Sequence, residues 1–125
     1  MLKLLYIGLG GFLGAISRYI ISKNINQLVS SFPLGTLVVN FTGSFILGFL
    51  LYSVSLGKNI SSDIRDFIAI GFIGAFTTMS TFAYESFRLL ELSEWMFFAL
   101  NIFFNLILCL IAIYAGKELS IILFK

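Results

Sequence analysis

The 125-residue chain has no histidine, one cysteine and one proline, and only 11% of its residues are charged. Each scarcity removes a class of function. Without histidine, and without a Walker loop, a dinucleotide fingerprint or a cysteine cluster, the usual catalytic and metal-binding kits are missing. Cys109 stands alone inside an apolar run, so it offers neither a disulfide framework nor metal-ligand spacing. The net charge of +2 is scattered along the chain, whereas nucleic-acid binding needs clustered Lys and Arg, and nucleic acid is excluded as a partner. What is abundant is apolar: 59% of residues are hydrophobic and the mean hydropathy is +1.04, the composition of an integral membrane protein. Transport or channel activity therefore outranks catalysis.

A hydrocarbon core about 30 Å thick asks for roughly 20 apolar residues per helix, and such runs cover about 2–22, 34–56, 67–90 and 95–124. The first is a span and not a signal peptide, because Lys3 is its only basic head and Arg18 and Tyr19 occupy the place of a cleavage site. The stretches between the runs are short and carry the turn and charge signals, as in Lys23-Asn24-Ile25-Asn26 and Gly57-Lys58-Asn59. The expectation is one all-α membrane domain over 1–125, multi-pass, in the cell's inner (plasma) membrane, with both termini on one side of the lipid bilayer. That side carries Lys3, Lys58, Arg65, Lys117 and Lys125 against Arg18, Lys23 and Arg88 on the other. So weak a bias predicts insertion in both orientations and an antiparallel homodimer.

Polar and small residues mark the faces that matter. Gly10 and Gly14 form a close-packing face on the first helix, and Arg18 follows one turn later, as an interfacial anchor or an attractor of anions. On the second helix Thr36, Asn40, Ser44 and Gly48 recur every four residues; on the fourth, Asn101, Asn105 and Cys109 do the same. An unpaired amide costs several kcal/mol in hydrocarbon, so Asn40 needs a helix, water or an ion as partner. Two such stripes suit a narrow hydrophilic path. Asp63 and Asp66 precede the third run as a solvated cap, and Glu85 and Arg88, three apart, are placed to pair locally, with Glu85 also able to face a vestibule.

The third run holds GFIGAFTTMSTFAYESF, residues 71–87, in which two glycines and four closely spaced hydroxyls argue against an unbroken helix. One reading is a break that lines a cavity and frees carbonyls for an ion; the other is a continuous helix whose small residues admit a close neighbour.

With these segments in view the pattern resembles the Fluc/CrcB fluoride channels. GFIGAFTTMSTF is similar to that family's third-helix signature, GGFLGAISRY to its first-helix segment and PLGTLVVNFTGSFILG to its second-helix segment, so the match runs along the whole chain. The resemblance implies four helices with the third broken, an antiparallel homodimer with two pores, and a central structural sodium ion. It implies that Asn40 and Phe82 line the fluoride path, with Ser80 and Thr81 as hydroxyl candidates; Met79 and Cys109 stand at pore positions where this chain departs from the family, and Arg18 and Glu85, from their own places in the chain, are the vestibule candidates. It also implies that the backbone carbonyls of Gly74 and Thr77 hold the sodium. Three positions depart from the family pattern: Met79 replaces the first of two phenylalanines, Ala75 the second of two glycines, and Cys109 a serine-like residue.

A donor-lined path suits fluoride, whose tight water shell must be replaced by amides, hydroxyls and ring edges. The alternative is a small multidrug exporter coupled to protons. It requires an acid within the membrane, and Glu85 is the only candidate. A purely structural assembly subunit would transport nothing.

Overall fold

The computed structural model describes residues 1–125 and is all-helical. Helix α1 is Leu2–Leu28 and α2 is Leu34–Ser55. The third crossing, Ser62–Glu91, is assembled from α3 (Ser62–Asp66), a π-helical segment (Phe67–Ile73), α4 (Gly74–Phe76) and α5 (Met79–Glu91). Helix α6, Trp95–Phe124, completes four segments long and apolar enough to cross a membrane. This is a multi-pass membrane protein.

Two of the expected boundaries move. Helix α1 continues through Lys23-Asn24-Ile25-Asn26, which the charge and amide signals made a linker; it ends where Asn26 Oδ1 accepts from Gly35 N at 2.8 Å and so ties its last turn to the start of α2. The third crossing begins earlier than its apolar run, at Ser62, capped by the Ser61 hydroxyl. Asp66 is not a solvated cap. It is buried and accepts from Lys3 Nζ at 2.6 Å and Arg65 Nε at 3.2 Å, fastening the start of α1 to the third crossing. Glycine and serine stop two helices. Gly57 (φ +86°) ends α2 and Ser93 (φ +58°) ends α5, each followed by a residue whose N–H bonds a carbonyl five positions back, Lys58 to Ser53 and Glu94 to Leu89.

Packing is glycine against backbone. Gly10 and Gly14 meet the main chain of Phe67 and Phe72, and Gly71 meets that of Ile7 and Gly10, so α1 and the π-helical segment touch without side chains between them. The small-residue face of α1 thus finds its partner. On the other side of the bundle, Gly48 of α2 packs on Ile113 and Gly116 of α6 packs on Phe45. The α2–α6 and α1–π pairs are the two halves of the molecule, and the third crossing joins them.

A side chain at position 14 has only backbone to displace. Gly14→Val is expected to destabilise the fold by about 1–3 kcal/mol, the usual range for overpacking. Thermal denaturation in detergent measures it, with Gly8→Val, where nothing lies within 4 Å, as the neutral control.

Candidate functional site

The third crossing is broken at Thr77 and Thr78, both extended (φ −83°, ψ 157° and φ −151°, ψ 123°). The break is made by side chains that take the helix's own donors. In an unbroken helix Thr78 N would bond Gly74 O and Thr81 N would bond Thr77 O. Instead Thr78 N donates to Asn40 Oδ1 at 2.8 Å, and Thr81 N donates to Thr78 Oγ1 at 3.2 Å, the N-cap bond of α5. Gly74 O and Thr77 O are therefore left without their helical partners.

Asn40 closes a ring on the break. Its Nδ2 donates to Thr78 O at 3.2 Å and to Asn105 Oδ1 at 3.0 Å. Both amide hydrogens and the carbonyl oxygen are thus spent on protein partners from α5 and α6. The polar stripes of α2 and α6 do converge, by bonding each other: Asn101 is wholly buried, while Asn105, also buried, borders the larger of two cavities at the break.

These two cavities share Thr78 as part of their walls. The larger, about 410 Å³, is walled by Asn40, Ser44, Thr77, Met79, Phe82, Asn105 and Cys109 together with Thr78 and apolar neighbours, and holds no charged side chain. Its rim is exposed: Met79 is 71% accessible and Leu110 67%. The smaller, about 230 Å³, is walled by Arg18, Tyr19, Ser22, Thr36, Thr78 and Thr81. The hydroxyls of Ser22, Thr36 and Thr78 donate to Arg18 O, Glu85 Oε1 and Thr81 Oγ1, so the donors left for an anion are the Arg18 guanidinium, the Tyr19 phenol and the Thr81 hydroxyl.

The residues singled out in the sequence thus fall into three groups. Asn40, Met79, Phe82 and Cys109 share the larger cavity, and Arg18 and Thr81 share the smaller. Ser80 lines neither; its hydroxyl lies 3.3 Å from Thr78 Oγ1. Glu85 sits apart, in a third cavity of about 440 Å³ with Arg88, Tyr84 and Glu94. Its expected pairing with Arg88 does not form. Glu85 points inward, where Oε1 accepts from Thr36 Oγ1 at 2.8 Å, while Arg88 turns outward to Glu91 Oε2 at 2.9 Å. The second Glu85 oxygen is buried without a partner. Thr36 connects the two chambers, since its side chain lines the Arg18 cavity and donates to Glu85.

Sequence reasoning missed Thr78 as the central residue. The signal was present: Thr78 precedes the amphipathic stretch 79–91 and stands three before another hydroxyl, a helix-start pattern inside an apolar run.

Four membrane crossings, the third of them interrupted, with two chambers that share a wall at the interruption, define a small multi-pass membrane protein of the broken-helix kind. The chain belongs to the CrcB-like protein family, described as camphor resistance (CrcB), whose model matches residues 5–117. A fluoride-specific ion channel FluC of Methanococcus aeolicus is 48% identical over 125 residues, all of both chains. The corresponding proteins of Methanococcus maripaludis (50% identical; 96% of this chain and 97% of the relative) and Methanocaldococcus jannaschii (49%; 98% and 98%) bear the same name.

Asn40→Asp keeps the acceptor for Thr78 N but sets a carboxylate against Thr78 O and Asn105 Oδ1, which accept from the amide in the native chain. The variant is expected to lose about 1–3 kcal/mol of stability through these unmade bonds. Chemical denaturation monitored by tryptophan fluorescence reads the loss, and Asn40→Gln serves as the chemically matched control.

Proposed function

We propose that the protein is a fluoride channel that lets the ion leave the cell passively, as an antiparallel homodimer with two paths and a structural sodium ion between the subunits. The observation that carries this reading is that Thr78, at the membrane-embedded break, is a wall of both an arginine-bearing chamber and a charge-free one. The relatives' shared name supports fluoride as the ion.

The lining fits a small, tightly hydrated anion. Arg18 raises the local potential at the entrance, and the Tyr19 and Thr81 hydroxyls, whose hydrogens are free, replace water as the ion sheds it. Beyond Thr78 the Phe82 ring offers its positive edge. Without a fixed positive charge in this second chamber, the ion is held weakly enough to leave. Asn40 contributes by shaping the passage, since its amide hydrogens already have partners.

The exposed rim supports the dimer. Met79, Gly74, Ser80 and Thr81 lie at the surface of the single chain, and polar backbone at this depth is tolerated only against protein or a watery cavity. A second copy packed over this face closes the larger chamber. Gly74 O and Thr77 O, acceptors freed at the break, would hold the sodium, whose charge would bind the subunits together and favour anions nearby.

Purified protein in liposomes is expected to pass fluoride down its gradient and to reject chloride. Proton-driven uptake of a cationic drug without a fluoride leak would favour the exporter reading built on Glu85, and no flux of either would favour an assembly subunit. Orientation reporters on the C-terminus are expected to show insertion both ways, and a single exclusive orientation would contradict the antiparallel dimer. The aromatic edge has its own test. Phe82→Ile keeps apolar bulk but removes the ring quadrupole, and is expected to cut fluoride flux about tenfold or more, corresponding to about 1.4 kcal/mol or more of barrier. Met79→Phe is expected to conduct. Near-normal flux through an assembled Phe82→Ile dimer would reduce Phe82 to packing.

A further inference from the structure

The hydrogen bonds around Asn40 continue beyond it. Asn105 Nδ2 donates to Asn101 O and to Asn101 Oδ1, both at 3.0 Å; Asn101 Nδ2 donates to Ser86 Oγ at 3.0 Å; and Ser86 Oγ donates to Phe82 O at 2.8 Å. The series leaves the break at Thr78, crosses to α2, then to α6, returns to α5 at Ser86 and ends on Phe82 O, one turn after its start. Its direction is dictated by a single group. Thr78 N–H can only donate, so Asn40 must turn its oxygen to it and its NH₂ toward α6; Asn105 must then present its oxygen, and each amide passes the same polarity on. Every member between the ends is buried or part-buried, with Asn101 at 0% and Asn105 at 6% accessibility. In that setting an amide with no partner is costly, so the polarity of one member constrains the next.

We infer that Asn105, backed by Asn101 and Ser86, is a positioning residue of the ion path: it fixes the Asn40 amide, which in turn holds Thr78 N–H away from Gly74 O and so keeps the helix open. The same ladder clamps both ends of the turn that carries Phe82. Although Asn105 also borders the larger cavity, it serves the passage through its bond to Asn40, so that the effect of changing it is transmitted to the break.

The inference rests on the conduction reading only where flux is measured; its other readout is independent of any transported ion. Amide hydrogen exchange followed by NMR on the full chain in lipid nanodiscs reports Thr78 N–H directly, because Asn40 Oδ1 is its only acceptor. Asn105→Leu keeps the side-chain shape and removes the bonds. Exchange at Thr78 is expected to be about tenfold faster, with the amides of α6 unchanged, and fluoride flux about tenfold lower in liposomes. Asn101→Leu is expected to do the same more weakly, because Asn101 O still accepts from Asn105, and it serves if Asn105→Leu does not fold. The Asn40→Ala/Asn105→Leu double variant is expected to conduct no less than Asn40→Ala alone, as a residue acting through Asn40 requires. Unchanged Thr78 exchange in the folded variant, or flux losses that multiply in the double variant, would overturn the inference. If the native protein passes no fluoride, the conduction reading falls, and the exchange measurement still decides the ladder.

Discussion

The pair of hydrogen bonds between the Asn40 amide and the Thr78 main chain is the constraint on which the rest of the structure depends. A peptide group released from a helix inside a membrane has no water to turn to, and each unmet donor or acceptor costs several kcal/mol. Asn40 meets both groups of one residue with one side chain, as a neighbouring strand would. The N–H it takes is the one that Gly74 O would have used, so stabilising the break and freeing a carbonyl are a single event. The Thr78 hydroxyl repeats the exchange one turn on, taking Thr81 N–H and freeing Thr77 O. The two carbonyls assigned to sodium by family resemblance are thus the two that these substitutions strip of their helical donors.

Such a break can hold its place only on a rigid frame. The frame is set by glycines at which helices meet backbone to backbone: Gly10, Gly14 and Gly71 on one side, Gly48 and Gly116 on the other. Close approach is the main source of helix association where lipid is as apolar as the side chains. It also explains the π-helical turn over Phe67–Ile73, which presents Gly71 and the Phe72 main chain to α1 just before the break. Asn40 and Asn105 come within hydrogen-bond reach on the face that the Gly48–Gly116 packing brings together.

The four crossings, the small-residue faces and the site of interruption were legible in the sequence because each depends on residue type at helical spacing. Glycines four apart on α1, an amide two turns into α2 and a cluster of hydroxyls after Gly74 are visible without coordinates. Partner choice was not. Glu85 has Arg88 one turn along the same helix, but the inward face of α5 sets it against Thr36, and Arg88 is left to Glu91. Asp66 reads as an exposed cap until the start of α1 brings Lys3 onto it. The asparagines of α2 and α6 read equally as pore lining or helix glue, and only their mutual distance shows that their amides bond one another. Local periodicity carries the elements; long-range pairing carries the site.

The claim at the centre of this account is that the opening at Thr77–Thr78 is a passive path for one anion and takes no proton in exchange. Electrical recording from the protein in a planar bilayer, with fluoride and pH gradients set in opposite directions, tests it most directly. The fluoride current is expected to reverse at the fluoride equilibrium potential whatever the pH gradient. A reversal potential that moves with the pH gradient, or the absence of current alongside proton-coupled flux, would contradict it.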